Sequence, residues 1–427
     1  MSQILALHGG EPVIRQPFPP YRSLGEEEIA AVNRVLRTGV LSAYLGAPGE
    51  GFMGGPEVRA LEAEAAAYFG ARHAIAVNSW TSGLISAVGA IGVEPGDEII
   101  VTPWTMAASA TAIVHWNAIP VFADIDPETF TLDPRAVEQA ITPRTRAIMS
   151  VDIFGQSADM DALRAVASRH NLKLISDTAQ APGARYQGRY AGTLADIGGY
   201  SLNYHKHIHC GEGGILVTDN DRYAERLRLI RNHAEAVVRS EDPADLANMI
   251  GYNFRLGEIE SAIAREQLRK LADKVASRQR AAGQIAAGLG ELPGLQLPQV
   301  ANGRTHVYYV FGMKLDCERV GVGPPAIVAA LRAEGVTGLG AGYQNVHRLP
   351  MFVHGVAYGR KGFPWAAADG SGTRRASSQR CPVAERLHER EFFYLGVCAH
   401  EYHDVEVRLL VAAFRKVWDN LRSLRAS

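Results

Sequence analysis

The sequence predicts an α/β protein, in which a mostly parallel seven-stranded sheet is covered by helices and followed by a smaller α+β unit. Its 427 residues suffice for a large core and more than one folding unit. From about residue 70 to 220, short apolar runs alternate with helical stretches, a pattern typical of parallel sheets. After about residue 295 the alternation ends. We therefore predict a large domain with an N-terminal helical segment over residues 1–290, and a small domain over 291–427.

Two helices are predicted before the sheet, at Leu24–Arg37 and Pro56–Phe69, joined by the glycine-rich loop Gly46–Gly55. The apolar runs predict strands at His73–Val77, Glu98–Thr102, Ile119–Ala123, Ala147–Val151, Leu172–Ser176, Ile197–Ser201 and Ile215–Thr218. Because the carboxyl ends of parallel strands meet at one edge of a sheet, catalytic groups should gather there.

The remaining elements are mainly helical. Residues 252–290 are predicted to form one long helix or two, because Leu256, Ile259, Ile263 and Leu268 make an apolar stripe. The other predicted elements are helices at Met160–His170, Tyr223–Asn232, Pro325–Glu334 and Val405–Leu424, and a strand at Val307–Met313. Residues 340–380 are predicted to be a long loop, a kind of segment that often carries function.

Composition excludes several classes of partner. The formal net charge of −1 gives no bulk attraction for nucleic acid or an anionic membrane. No apolar run approaches the roughly 20 residues of a spanning helix, and the N-terminus lacks the pattern of a signal peptide. The 4 cysteines form no CxxC pair, which argues against a disulfide framework or a zinc ribbon. We expect a cytoplasmic protein without nucleic-acid or membrane partners.

The most informative segment surrounds Lys206. It lies in the run from Tyr200 to Gly214, with the hydroxyl of Ser201 before it and a Gly-Glu-Gly-Gly turn after it. A lysine that forms a Schiff base must be held rigidly and must lose its proton easily, and a strand end that runs into a glycine turn provides that placement. The run resembles the lysine-bearing segment of a pyridoxal-phosphate enzyme. Alone, a solvated lysine beside an ordinary turn is an open alternative.

Pyridoxal phosphate also needs an acid for its pyridinium nitrogen, a phosphate cradle and a plate packed on its ring. Asp177 is the candidate acid, because it ends an apolar run and should point into the site from the carboxyl end of a strand. A helix N-cap is the alternative for this aspartate.

The candidate phosphate cradle is Asn78–Gly83, where a helix N-terminus offers N–H groups and Thr81 and Ser82 offer hydroxyls. An ordinary helix cap without a ligand is the alternative. Trp104 or Met106 is the candidate ring plate, and either could equally belong to the core.

Four motifs keep the order and spacing of a known family. They are Asn78-Ser79-Trp80-Thr81-Ser82, Ser176-Asp177-Thr178-Ala179-Gln180, the run from Ser201 through Lys206 to Gly214, and Gly251-Tyr252-Asn253-Phe254-Arg255. With the opening Leu7–Pro12, they resemble the DegT/DnrJ/EryC1/StrS family of pyridoxal-phosphate-dependent sugar aminotransferases, over most of residues 8–275. The resemblance implies fold type I, with a large cofactor-binding domain and a smaller C-terminal one.

The resemblance also implies a role for each matching residue. Lys206 is expected to be the Schiff-base lysine and proton shuttle, and Asp177 the partner of the pyridine nitrogen. Asn253 is expected to reach the phosphate from the neighbouring subunit of a homodimer. The other implied cofactor-binding residues are Ser79, Trp80, Thr81, Met106, Gln180 and Ser201, and Glu212 is expected close to the lysine turn.

Three positions depart from the family pattern. Trp80 stands where a glycine is usual, Met106 where an aromatic ring plate is usual, and Asp152 where a histidine is usual. These departures bear on the packing of the site and on the substrate, and leave the prediction of cofactor binding in place. Trp80 is bulky and is expected to narrow the pocket or to supply stacking that Met106 does not.

His205, His207, Arg255 and Tyr343 are the candidate substrate-binding residues. A metal site at the alternating His205, His207 and His209 is conceivable, but acidic ligands are lacking and no metal is predicted. Tyr343 lies in the predicted loop, which could instead be purely structural. A nucleotide-linked substrate would also require cations for its diphosphate, and Arg255, Arg231 and Arg348 are candidates.

By this resemblance the protein is an aminotransferase that converts a nucleotide-linked keto-sugar or a cyclitol ketone to the amine. Glutamate or glutamine is the expected donor, and antibiotic or surface-glycan synthesis the expected use. One alternative is a dehydratase of the same fold, in whose relatives the lysine is replaced, commonly by histidine. Another is a non-catalytic regulatory protein that binds pyridoxal phosphate. The presence of Lys206 with its acid and phosphate residues argues against both.

Overall fold

The computed structural model describes residues 4–366 and 379–425. The helices are α1 Glu26–Thr38, α2 Pro56–Phe69, α3 Trp80–Ala90, α4 Ala107–His115, α5 Pro134–Ala140, α6 Met160–Arg169, α7 Asp221–Arg231, α8 Ala234–Val237, α9 Pro243–Leu246, α10 Glu258–Leu289, α11 Cys317–Val320, α12 Pro324–Ala333, α13 Pro350–His354, α14 Pro382–Arg386, α15 Asp404–Asp419 and α16 Leu421–Leu424. Within the described ranges, no helix combines the length and apolarity that a bilayer span requires.

The strands are β1 His73–Val77, β2 Glu98–Val101, β3 Ile119–Phe122, β4 Thr145–Val151, β5 Lys173–Asp177, β6 Arg185–Tyr186, β7 Arg189–Tyr190, β8 Ile197–Ser201, β9 Gly214–Thr218, β10 Leu295–Gln296, β11 Phe311–Leu315, β12 Leu339–Ala341 and β13 Phe392–Leu395. The large sheet has seven strands in the order β1-β9-β8-β5-β4-β2-β3. Strand β9 runs antiparallel to both neighbours, and the other pairs are parallel. The predicted mostly parallel sheet is confirmed.

Helices cover both faces of this sheet because its strands are apolar on both sides. Along β1, Ile75 and Val77 pack with helices α3, α4 and α7, whereas Ala74 and Ala76 pack with α2 and α10 on the other face. Successive residues of a strand point to opposite faces, so a continuous apolar run supplies both layers. Helices α5 and α6 complete the second layer beside β2, β4 and β5.

The C-terminal region forms a four-stranded antiparallel sheet in the order β10-β11-β13-β12, against which α12 and α15 pack. Helix α10 is one continuous helix, and its last turns join this core through Ile285 and Leu289. The N-terminal Leu5, Ile14 and Phe18 also pack here, although the prediction assigned them to the large domain. The reason is the buried Glu334, whose carboxylate accepts hydrogen bonds from the backbone N–H groups of residues 6 and 13. The division at residue 290 stays a prediction.

Three predicted segments differ in the structure. The helix predicted at Val405–Leu424 is divided into α15 and α16. The strand predicted at Val307–Met313 begins only at Phe311, because Val307 and Val310 donate backbone hydrogen bonds to the turn at Phe154 and Gly155 instead. The loop predicted over 340–380 contains the short helix α13 and a 3₁₀ turn at Val346–Arg348, and its residues 367–378 lie outside the described ranges.

Candidate active site

Four strand ends meet at one edge of the large sheet. Strands β1, β5 and β8 end there at Val77, Asp177 and Ser201, and the antiparallel β9 begins there at Gly214. A cavity of about 180 Å³ opens beyond this edge. The predicted site residues on its wall are Ser79, Trp80, Thr81, Met106, Asp177, Gln180, Ser201, His205, Lys206 and Glu212. The topology thus brings together residues that lie far apart in the sequence.

Lys206 is buried at this cavity in a turn closed by its N–H, which donates to the carbonyl of Asn203 over 3.0 Å. Its ammonium lies 4.3 Å from the centre of the Tyr309 ring. Burial lowers the pKa of Lys206 to about 8, and the charge of Asp177 offsets part of that effect. The alternative of a solvated surface lysine is therefore wrong, and the side chain can supply a neutral amine near physiological pH.

Asp177 presents a fixed carboxylate to the same cavity. Its Oδ1 accepts a hydrogen bond of 2.6 Å from the indole N–H of Trp80, and its Oδ2 accepts one of 2.7 Å from the hydroxyl of Ser109. Residues 178–184 form turns without a helix, so the N-cap alternative for Asp177 is wrong. A buried carboxylate held by neutral donors is suited to stabilise a positive charge in front of it.

The predicted phosphate cradle is a capped helix end. Ser79 caps α3 by accepting a hydrogen bond from the N–H of Ser82 over 3.1 Å, and Thr81 is exposed at the cavity. The cap leaves the N–H groups of Trp80 and Thr81 without intrahelical acceptors. These N–H groups, together with the hydroxyls of Thr81 and Ser201 on the cavity wall, could hold a dianionic group.

Met106 and Trp104 have separate roles in the structure. Met106 lines the cavity just before α4, and 66% of it is exposed. Trp104 is fully buried among Phe130, Phe154 and other rings, and its indole N–H donates to Asn345 over 2.9 Å. Of the two candidates, only Met106 is placed to pack on a bound ring.

Gln180 connects the cavity to the C-terminal loop. Its Oε1 accepts the N–H of Phe154 over 2.8 Å, and its side chain lies beside Tyr343. Tyr343 packs edge-on against Phe154 with ring centres 5.0 Å apart, and burial raises its pKa to about 12. The structure thus places Tyr343 one residue behind the cavity wall.

Several predicted residues lie away from this cavity. His207 is fully buried and its Nε2 is 2.7 Å from the carbonyl of Val307, so direct contact with a substrate is not the role that the structure gives it. Asn253 is exposed and Arg255 lies beside it, with a hydrogen bond of 2.7 Å between their side chains. Neither lines the cavity of its own chain.

Two of the arginines predicted for a diphosphate are already engaged. Arg231 is fully buried and bound to Glu62, which makes its predicted role wrong. Arg348 pairs with Glu385 at 2.7 Å. Lys206 is the one lysine or arginine among the described residues on the cavity wall.

Sequence reasoning missed Ser109 and Tyr309 as neighbours of Asp177 and Lys206. Ser109 is the last residue of the segment that was predicted to supply the ring plate, and nothing in the sequence indicated that it contacts Asp177, 68 residues later. Tyr309 lies in a segment predicted as a strand of the small domain, and reaches Lys206 only because that segment crosses to the large sheet.

Asp152, which replaces a usual histidine, lies behind the cavity. It is fully buried and accepts hydrogen bonds from the N–H of Ala158 over 2.8 Å and from the hydroxyl of Thr178 over 2.7 Å. Burial raises its pKa from 3.8 to about 6, although these hydrogen bonds oppose the rise. The carboxylate therefore supports the turn after Asp177, at a cost in stability when it is ionised.

Asp152→Asn is expected to stabilise the cofactor-free protein at neutral pH. The folded pKa lies above the unfolded one, so the folded state binds more protons and loses stability as pH rises from about 4 through 6. A shift of this size corresponds to about 3 kcal/mol of unfolding free energy at pH 7. Urea unfolding at pH 4.5 and 7.5 measures it. We expect a gain of about 1–3 kcal/mol at pH 7.5 that largely disappears at pH 4.5, whereas an equal effect at both pH values would contradict the ionisation.

The assembled residues fit pyridoxal phosphate. Lys206 offers a primary amine of lowered pKa, Asp177 offers a carboxylate on the same cavity wall, and the N-terminus of α3 offers N–H groups without intrahelical acceptors for the phosphate. Met106 borders the space between them. The roles of the individual residues stay predictions.

Comparison with known proteins agrees with this arrangement. The model of the DegT/DnrJ/EryC1/StrS aminotransferase family matches residues 23–371. The spore coat polysaccharide biosynthesis protein SpsC of Bacillus subtilis is 34% identical over 363 residues, which cover 83% of this chain and 89% of SpsC. The L-glutamine:2-deoxy-scyllo-inosose aminotransferase of Streptoalloteichus tenebrarius is 35% identical over 437 residues, which cover 99% of both chains.

A solved structure shows the same fold. The crystal structure of DesI, analysed in the presence of its TDP-sugar product, superposes with a TM-score of 0.81 at 28% identity. The superposition covers 99% of this chain and 98% of that chain. The predicted fold type I architecture is confirmed.

Proposed function

The chain belongs to the DegT/DnrJ/EryC1/StrS aminotransferase family and is a pyridoxal-phosphate-dependent aminotransferase, and from this premise we propose that it aminates a cyclitol ketone with glutamine as donor. The observation that carries the proposal is the match to the 2-deoxy-scyllo-inosose aminotransferase, which spans both chains almost completely. That match therefore extends through the C-terminal sheet and the region around Tyr343.

The charge of the cavity supports a substrate without a diphosphate. A nucleotide-linked sugar carries a diphosphate, for which proteins normally supply arginine or lysine. Lys206 is the one such cation among the described wall residues, and Arg231 is held by Glu62. A nucleotide-linked keto-sugar is the second candidate, because the DesI structure was analysed with a TDP-sugar.

Five residues of the cavity have a proposed place in this reaction. Pyridoxal phosphate, when bound, would supply a ring that withdraws electrons from the carbon that loses its proton. Lys206 would hold the cofactor through Nζ, and as a neutral amine it could move a proton. Asp177 would support a positive charge on the ring nitrogen. Thr81 and Ser201 would bind the phosphate, and Met106 would pack on the ring.

The outer side chains orient the ketone and shape the entrance. His205 lines the cavity, and partial burial with the nearby charge of Lys206 lowers its pKa, so it is a neutral hydrogen-bonding group. Gln180, supported by Tyr343, faces the ring from the side of Phe154. The amine formed in this way would enter antibiotic or surface-glycan synthesis. The cysteines of the described ranges are free, which supports placement in a reducing cytoplasm.

The substrate proposal is tested with 2-deoxy-scyllo-inosose and a TDP-linked keto-sugar, each paired with glutamine and with glutamate. We expect the highest kcat/KM, measured by mass spectrometry of the amine, for the cyclitol with glutamine. Arg348→Ala serves as control, because a surface arginine outside a cyclitol site should change kcat/KM less than about 2-fold. If only the TDP-linked keto-sugar is aminated, and Arg348→Ala lowers kcat/KM for it, the cyclitol proposal is wrong and the nucleotide-linked keto-sugar takes its place.

We further propose a homodimer in which Asn253 completes the cavity of the neighbouring subunit. Asn253 and Arg255 lie outside the cavity of their own chain, on a surface with the exposed apolar residues Leu41, Leu45 and Ile250. Leu41 and Leu45 are tied to this segment through backbone contacts with Glu258 and Asn232. Exposed apolar residues beside a site motif that its own chain does not use support a two-fold interface at this surface.

Mixing two defective variants tests the shared site. Asn253→Ala should weaken cofactor binding about 10-fold by removing a hydrogen bond to the phosphate, and Lys206→Ala should remove covalent attachment. In a heterodimer, one of the two cavities has both residues intact. After co-refolding at equal amounts, about a quarter of all cavities should regain wild-type affinity, measured from the visible absorbance at limiting cofactor. If heterodimers verified by tagged purification regain no wild-type affinity for the cofactor, the proposal of a shared site is wrong.

A further inference from the structure

We propose that Trp80 is a positioning residue whose indole N–H fixes the carboxylate of Asp177 against the ring nitrogen of the cofactor. The inference rests on the proposed role of Asp177 and assigns to Trp80 a function other than contact with the phosphate. Trp80 occupies a position where the resemblance leads us to expect glycine, so support of Asp177 by an indole is not part of what the resemblance implies.

The hydrogen bonds of Asp177 define its orientation. Trp80 Nε1 donates to Oδ1 over 2.6 Å and Ser109 Oγ donates to Oδ2 over 2.7 Å. All three residues are buried, so water competes little for these bonds. Oδ1 also accepts the backbone N–H of Ala179 over a longer 3.2 Å, so that donors on both oxygens fix the rotation and the plane of the carboxylate. Both side-chain donors are neutral, which leaves the negative charge available to a cation in the cavity.

The indole is itself held in a slot made by glycines. Asp177 pairs in register with Gly199 on the adjacent strand β8. A Cβ built on Gly199 would lie 2.5 Å from the indole ring, and one built on Gly83 would lie 2.8 Å from it. The ring therefore crosses β8 where no side chain intervenes, and reaches Asp177 from the N-terminus of α3. Because the ring fits closely between these glycines, the indole N–H of Trp80 can point in only one direction, toward Asp177.

This arrangement joins the phosphate end of the site to the ring-nitrogen end. Trp80 is the first residue of α3, whose N-terminal N–H groups are proposed to bind the phosphate. Its side chain also holds the carboxylate of Asp177 on the wall of the same cavity. Trp80 thus links the N-terminus of α3 to the carboxylate of Asp177, the two groups proposed to bind the phosphate and the ring nitrogen. We expect its indole to strengthen cofactor binding by holding Asp177 in place.

A double-mutant cycle of Trp80→Phe and Asp177→Asn tests the inference. Trp80→Phe should raise the Kd for pyridoxal phosphate about 10-fold or more, because hydrogen bonds to charged groups are worth more than neutral ones. In the Asp177→Asn background the same change should alter Kd less than about 2-fold, because the charged acceptor is gone. Trp116→Phe is the matched control, since its indole N–H donates to the carbonyl of Ile85 over 2.7 Å away from the cavity.

The outcomes separate the two proposals. If Asp177→Asn alone leaves Kd and turnover unchanged, the role of Asp177 fails. If Asp177→Asn weakens binding but Trp80→Phe adds the same loss in both backgrounds, the inference about Trp80 is overturned. Equal losses in Trp80→Phe and Trp116→Phe would overturn it too, since they would reflect packing alone.

A second measurement needs neither cofactor nor a folded Trp80→Phe variant. Among the indole N–H signals of the 5 tryptophans in ¹⁵N-labelled, cofactor-free protein, that of Trp80 should lie downfield and move upfield in Asp177→Asn. It should keep its position in Asp152→Asn. A Trp80 signal that ignores Asp177→Asn would contradict the hydrogen bond on which the inference stands.

Discussion

Replacing Lys206 by alanine is expected to reduce transamination at least about 10⁴-fold, because one substitution removes both the covalent attachment of the cofactor and the base that moves the proton. The pKa of about 8 makes the neutral amine of Lys206 about 300 times more abundant at pH 7 than that of a lysine with the ordinary value. Single-turnover kinetics with glutamine and the visible spectrum of the reconstituted protein measure the two losses separately.

The control for this variant is Lys314→Ala. Lys314 is also a buried lysine, but it binds the carbonyl of Pro127 over 3.0 Å and the carboxylate of Glu128 over 2.6 Å, outside the cavity. Its loss should leave the visible band and the rate within about 3-fold of wild type. Retention of the band in Lys206→Ala, together with turnover close to wild type, would show that another amine carries the cofactor.

Strand and helix patterns, together with the sequence motifs, predicted most of the sheet and the strand ends around Lys206. All seven strands of the large sheet lie within two residues of the predicted bounds, because each is a run apolar on both faces. The motifs follow the ends of these strands, and the carboxyl ends of parallel strands meet at one edge of a sheet. This is why Lys206, Asp177, Thr81 and Ser201 lie at one cavity.

The features that sequence reasoning missed depend on contacts between distant segments. The bond from Trp80 to Asp177 exists because Gly199 leaves a slot between them, and the sequence shows only a bulky residue in a glycine position. Alternation predicted that His207 would share a face with His205, but the chain after Ser201 forms a turn, so the two rings lie in different surroundings. Local periodicity describes strands, and says little about side chains in the turns beyond them.

The second large effect is expected for Asp177→Asn, which should lower the rate of proton removal about 10²- to 10⁴-fold, the range found when a preorganised charge or proton-transfer partner is lost. The amide keeps the shape of the side chain and removes its negative charge. Without that charge the ring nitrogen of bound pyridoxal phosphate would hold a proton less firmly, and the ring would withdraw electrons less strongly. The deuterium isotope effect with α-deuterated glutamine should rise, because proton removal becomes more rate-limiting.

Asp152→Asn is the matched control for the loss of a buried carboxylate. Asp152 lies next to the turn after Asp177 and binds Thr178, but it is not on the cavity wall. Its substitution should therefore change the rate less than about 10-fold and leave the isotope effect unchanged. If both variants slowed the reaction equally, the effect would belong to the turn after β5 and not to the charge of Asp177. If Asp177→Asn alone is slow, the loss can be assigned to the carboxylate of Asp177, since both aspartates are buried and only Asp177 lies on the cavity wall.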